Sequence, residues 1–251
     1  NMASWMIYGP IDLSNPRMAE TSFWLWRQIE VYYDYVFFGI SSDGTNFSGW
    51  TWDGTVGWEE QRFNLNGYLG DSSVWVAWLF VSDSTVQYEG PWVDDILIRK
   101  YVPGQVTVRG DFHYNARDGQ WSSARLTKVY LYDSDPGGTD DLLAVATTSA
   151  DPNANGAFQF PAVTNWDDDD ADPDPNNRRL DLYLVWETDN NDSSTARRRV
   201  TTFGDWAYQW SSGTPRVNVP DGTSDFFNYT VPDGGSQPAM WIFQDLLRAW
   251  E

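Results

Sequence analysis

The groups in this chain able to do chemistry are carboxylates and aromatic faces. Its 251 residues hold one histidine and no cysteine, beside 36 acidic side chains and 16 tryptophans. Without cysteine there is no thiolate nucleophile, no disulfide and no Cys-based zinc site. A Ser-His-Asp triad would have to run through His113, which stands between Phe112 and Tyr114 in a strand-like stretch and reads as structural. Carboxylates remain, and they suit calcium, which takes six to eight oxygen ligands. Asp133-Ser134-Asp135-Pro136-Gly137-Gly138-Thr139-Asp140-Asp141 has the outline of a calcium loop. It fails the EF-hand pattern, with Gly137 at the fifth position and Ala144 at the twelfth, where a glutamate is required. It therefore reads first as an acidic turn, with Asp133 and Asp135 as ligands if calcium is held. Asp167-Asp168-Asp169-Asp170, between Trp166 and the Pro-interrupted stretch to Asn177, reads as a solvated loop able to collect calcium loosely. A glycosidase carboxylate pair is a matter of spacing across a cleft, which residue counting does not address.

The tryptophans are the second theme. Trp24, Trp26, Trp50, Trp52 and Trp58 crowd the first hundred residues, and Trp121, Trp166, Trp186, Trp206 and Trp210 follow later. They read as core and sheet-face packing, or as an aromatic surface for sugars or another protein, with Trp24, Trp26, Trp50 and Trp52 the candidates.

Period-2 patterns must position these groups. Thr21–Arg27 sets Phe23 and Leu25 on one face and Trp24 and Trp26 on the other, and one of those faces must find cover. Residues 34–40, 74–82 and 94–101 are further strands, and Ser41-Ser42-Asp43-Gly44 is a hairpin-type turn. A boundary falls at Tyr101-Val102-Pro103-Gly104. Beyond it, strands are expected over 105–114, 125–133, 142–147, 157–160, 180–188, 199–203 and 224–229. A helical period emerges only at the end, where Met240, Phe243, Leu246, Leu247 and Trp250 share a face behind Ser236 and Pro238. The expected fold is all-β. It comprises two β-sandwich domains, residues 1–102 (a partial jelly roll) and 103–235 (a transthyretin- or Ig-like sandwich). A C-terminal helix at 236–251 leads to a further domain or partner.

A net charge of −20, with only Lys100 and Lys128 as lysines, repels nucleic acid and anionic lipid. A salt-adapted source also produces such a balance, but would enrich Glu as well as Asp. The apolar runs are far shorter than the ~18–20 residues of a membrane span. Asn1-Met2-Ala3-Ser4-Trp5 has no basic n-region, so no signal peptide is expected here. The sequons at Asn46, Asn191 and Asn228 read as chance in an Asn/Ser/Thr-rich chain.

Several stretches resemble the C-terminal half of the MAM-like jelly roll of secreted bacterial proteins of the immune-inhibitor-A type. They are Ser4–Leu13, Phe23-Trp24-Leu25-Trp26, Ile40–Phe47, Val74–Trp78 and Trp92–Ile98. That resemblance implies strands ahead of Ser4 that this chain lacks, either by truncation or because a partner chain completes the sandwich. In related calcium-stabilised jelly rolls an acidic residue of the last strand ligates a structural ion, which points to Asp94 and Asp95; simple alternation would instead send one of them outward. Val106–Gly110, Val129–Asp133, Asn155–Phe160 and Leu182–Val185 resemble a transthyretin-like or Cna-B-like sandwich. The closing Pro238–Phe243 stretch resembles the lead into a further domain, which in similar proteins can be a zinc peptidase; its His-Glu-x-x-His motif is not in this sequence. The expectation is a non-catalytic, extracellular or cell-surface bacterial module for adhesion, spacing or fibre assembly, with Ca²⁺ as cofactor. Its partners would be copies of itself, flanking domains or glycans. The alternative is the accessory region, binding glycan or substrate, of a secreted zinc metallopeptidase.

Overall fold

The computed structural model describes residues 2–170, 172, 174–190 and 198–250. The sequon at Asn191 therefore lies outside the described residues. The chain is all-β apart from short 3-10 turns and one α-helix among the described residues. It divides into two compact units, residues 1–103 and 104–251.

The first unit is a sandwich of two antiparallel sheets. Its strands are β1 (Met2–Ile11), β2 (Met18–Gln28), β3 (Tyr35–Ser41), β4 (Ser48–Trp52), β5 (Thr55–Asn64), β6 (Val74–Ser82) and β7 (Gly90–Tyr101). One sheet runs β1-β6-β3-β4, the other β5-β2-β7. Alternation on β2 resolves as the strand period requires: Phe23 and Leu25 are wholly buried, while Trp24 is exposed. Phe23 meets Phe38 of the facing sheet at 5.1 Å between ring centroids and Trp78 at 5.3 Å, edge to face. Such tilted aromatic contacts add to the area buried in joining the two layers.

The second unit repeats the principle with other parts. Its strands are β8 (Gln105–Asn115), β9 (Trp121–Ser123), β10 (Lys128–Asp133), β11 (Asp141–Thr147), β12 (Ala157–Gln159), β13 (Val163–Thr164), β14 (Leu182–Glu187), β15 (Asp189–Asn190), β16 (Arg198–Arg199), β17 (Gln209–Ser211) and β18 (Gly222–Thr230). One sheet runs β11-β10-β14-β17. The other centres on β8, which pairs antiparallel with β9, β12 and β13 and parallel with β18. Phe112 of β8 stacks on Trp186 of β14 at 4.5 Å, bridging the layers.

Helix α1 (Gln237–Trp250) belongs to this second unit, whereas the sequence sets residues 236–251 apart. Met240 and Phe243 are wholly buried in its core, and the Trp241 indole N–H donates to the Asn115 carbonyl at 2.7 Å. Leu246, assigned to the apolar face by its spacing, is exposed. The helix lays only a narrow stripe on the sandwich, and Leu246 falls at its margin.

Candidate functional site

The most unusual chemistry lies at one end of the β11-β10-β14-β17 sheet. On β10, Val129 and Leu131 point into the core and are wholly buried. The same alternation carries Asp133 to that face, where it is 3 % exposed. Its register partners are Asp141 of β11 and Leu182 of β14, so three strand ends converge on it. Asp167 is brought to the same end, beside Asp133 and Asp135, and its N–H donates to the Arg178 carbonyl at 3.0 Å.

The expectation of a solvated acidic loop holds for Asp168 and Asp169, which are exposed, and fails at the start of the run. Trp166 is 7 % and Asp167 8 % exposed. The Arg178 guanidinium lies over the Trp166 ring, 4.5 Å from its centroid. The Asp167 carboxylate accepts the Asp169 and Asp170 N–H groups at 2.8 and 2.9 Å. These are local Asx bonds, and within the run only Asp167 is buried while Asp168 and Asp169 stay exposed.

One carboxylate oxygen from each of Asp133, Asp135 and Asp167 falls within 4.8 Å of the others, and Asp135 forms a second such group with Asp141 and Asp169. Asp135, Asp167, Asp169, Asp170 and Asp181 line a cavity of about 630 Å³. No Lys or Arg pairs with Asp133, Asp135 or Asp167 among the described residues. Burial pushes the Asp133 carboxyl up to about 7; a hydrogen bond from the Asp181 N–H opposes this, and the Asp167 charge reinforces it. Asp135 and Asp181 are raised as well, each first by burial and then by neighbouring carboxylates.

Asp94 and Asp95 are placed differently. Both are exposed on β7, at a bulge where Asp95 takes φ 48° and its N–H donates to the Asp94 carboxylate at 2.8 Å. Neither joins a group of three acidic side chains among the described residues. Such a group does occur elsewhere in the first unit: Glu30, Asp34 and Asp83, with Asp34 3 % exposed. Sequence reading missed it, because Glu30 and Asp34 share the β2–β3 connection while Asp83, which follows β6, lies far off in the sequence with no motif spacing to them.

The four candidate tryptophans part company. Trp24 and Trp26 occupy the outer face of the β5-β2-β7 sheet, with Trp26 directly opposite Trp92 and Trp24 between Glu60 and Asp94. Trp24, Trp92 and Trp58 on β5 are 39, 55 and 50 % exposed, so an aromatic face exists with Trp92 as a member. Trp52 packs against the core instead, while Trp50 on β4 is 47 % exposed with its ring 4.4 Å from that of Phe63.

His113 stands 3.6 Å from Asp111, with Ser123 opposite it in the β8–β9 register. The Ser123 hydroxyl donates to the Pro152 carbonyl at 3.0 Å, so the bond from nucleophile to base that a triad needs is not made.

No protein-family profile matches the chain, and no curated protein does. Among solved structures, a 9R-lipoxygenase from Cyanothece PCC8801 aligns at 20 % identity and TM-score 0.33, over 51 % of this chain and 16 % of that one. The glycoside hydrolase domain of Endo-D from Streptococcus pneumoniae R6 aligns at 10 % identity and TM-score 0.25, over 80 % and 29 %. The chain thus spans less than a third of either protein, and likenesses this slight carry no argument about its activity. No helix among the described residues is long and apolar enough to cross a membrane.

Proposed function

We propose that this chain is a non-catalytic structural module of a bacterial surface or secreted protein, whose first sandwich is extended by a strand from a neighbouring copy. One observation carries the reading. Strand β1 is an edge strand, paired on one side only with β6. Met6 and Tyr8 stand opposite Trp78 and Val76, both buried, and so face the sandwich interior. Yet Met6 is 44 % and Tyr8 62 % exposed. The facing sheet has three strands against four. An open edge with a bare apolar inner flank offers both ladder hydrogen bonds and side-chain burial to an added strand. The Lys-poor, Asp-rich composition suits an exported protein.

The test is analytical ultracentrifugation with negative-stain electron microscopy on the chain and on Met6→Lys/Tyr8→Lys. Both positions are exposed, so the double variant should keep its core. Concentration-dependent oligomers or fibres, lost in the variant, are expected. Dispersed single particles at every concentration overturn the reading.

A second reading, the glycan- or substrate-binding accessory region of a secreted zinc metallopeptidase, is favoured by the exposed Trp24, Trp58 and Trp92 face alone. Aromatic planes beside carboxylates such as Glu60 and Asp94 can stack on sugar rings and bond their hydroxyls. Glycan-array binding abolished by Trp24→Ala and Trp92→Ala would establish it.

A further inference from the structure

We propose that the second unit binds a calcium-class divalent cation between Asp133, Asp135 and Asp167, independently of any strand exchange in the first unit. Three neighbouring carboxylates would, by themselves, be no more than a charged turn. What points to a ligand is the state of their oxygens. Oδ2 of Asp135 is completely buried and has no hydrogen-bond partner. Asp133, 3 % exposed, accepts the Asp181 N–H at 2.5 Å and has no cationic side chain paired with it among the described residues. Native proteins satisfy nearly all buried polar atoms, and orphaned carboxylate oxygens are costlier than neutral ones.

The geometry fits a single ion. Oxygens bound to one calcium at roughly 2.3–2.6 Å lie no more than about 5 Å apart. The three oxygens here are within 4.8 Å of each other. An all-oxygen set selects hard cations over zinc or copper. Ligands from a strand end and two irregular loops suit calcium's flexible shell better than magnesium's strict octahedron. Three carboxylates supply three to six of the oxygens, and the adjoining cavity admits water for the rest. Asp141 and Asp169, exposed and within reach of Asp135, give the ion an approach from solvent.

The role follows from the connectivity. Asp133 ends β10, Asp135 opens the turn to β11, and Asp167 follows β13. One ion would join two stretches of chain, the β10 end with its turn and the Asp167 loop, whose carboxylates otherwise repel one another. The experiment is isothermal titration of the full chain, stripped with EDTA, against calcium chloride and separately against magnesium chloride, with thermal melts in parallel. Saturable calcium binding is expected with a Kd of about 1 mM or below, at least tenfold weaker for magnesium, and a melting temperature that climbs with free calcium. Asp133→Asn and Asp167→Asn should each weaken binding at least tenfold, while Asp94→Asn and Glu30→Gln should not. Without calcium, Asp133→Asn should melt no lower than the parent chain, since it removes a buried charge, so its lost calcium response would not reflect misfolding. Asp135→Asn, at a less buried residue, gives a second check. Absence of saturable binding up to about 10 mM, or binding unchanged in both Asp133→Asn and Asp167→Asn, overturns the proposal.

Discussion

The two units solve the same packing problem and leave different debts. In the first, aromatic rings from both sheets fill the core, but apolar surface is left over: Met6 and Tyr8 on the inner flank of β1, and Trp24, Trp58 and Trp92 on the outer face of the opposite sheet. In the second, the aromatic core is capped further by α1, and the uncompensated term is electrostatic, concentrated in Asp133, Asp135 and Asp167. Exposed apolar area invites another polypeptide or a sugar, whereas buried, unpaired carboxylates invite a cation. Two sandwiches of one chain therefore point to two classes of partner.

The largest effect that would sharpen this contrast lies in the cores. Trp186→Ala removes the ring stacked on Phe112 and should destabilise the second unit by about 3–5 kcal/mol. Phe23→Ala should do the same to the first, by a similar amount. In calorimetry each variant should shift only its own transition. A common shift in both would show that the units unfold as one and break the comparison.

Next comes pH, where the units should respond with opposite sign. Asp133 has a raised folded-state pKa, about 7 against the ordinary aspartate value of 3.8. Between those values the folded second unit holds a proton that the unfolded chain has released, so its stability falls as pH rises through about 4 to 7. With solvent screening allowed for, the loss should be about 2 kcal/mol in EDTA. Calcium or Asp133→Asn should flatten the slope. Asp43 of the first unit is the reverse case, held well below the usual carboxylate range by hydrogen bonds from the Asn46 backbone and side chain, then from the Thr45 N–H. Its contribution is present above about 4 and lost as pH falls below the usual carboxylate pKa. Urea melts from pH 3 to 8 that follow each unit's fluorescence would reveal two slopes of opposite sign, and Asp43→Ala should remove the acid limb only.

The smallest effect is expected on the aromatic face. Trp24→Ala and Trp92→Ala should each cost about 1 kcal/mol, well below the core variants, because the rings are 39 and 55 % exposed and bury only part of their area. A loss of several kcal/mol would mean that these rings hold the sheet together and are not a free surface.

Much of the architecture was legible. Alternation located β2, β3, β6 and β7 and most of the second unit's strands within a few residues, because a half-buried strand cannot hide its period. It also separated Phe23 and Leu25 from Trp24 and Trp26, though not which pair would be buried. Strands β4 and β5 escaped it: their side chains are largely exposed, so they carry little alternating hydrophobicity. For the site, the Val129, Leu131, Asp133 alternation already directed Asp133 inward, a signal that the acidic turn beside it obscured. Asp167, more than thirty residues away, could not be joined to it from spacing, and composition does not separate one buried aspartate from the exposed Asp168 and Asp169 beside it.

The sequence by itself determined the class of fold, the boundary near Pro103, and a chemistry limited to carboxylates, hydroxyls and aromatic planes, since these follow from residue type and local period. The tertiary structure alone decided which carboxylates share a space, which tryptophans remain exposed, and that α1 closes the second sandwich. Those outcomes depend on strand order and loop return, and in a sheet neighbours across the ladder are set by pairing register, which brings together residues that no local spacing relates.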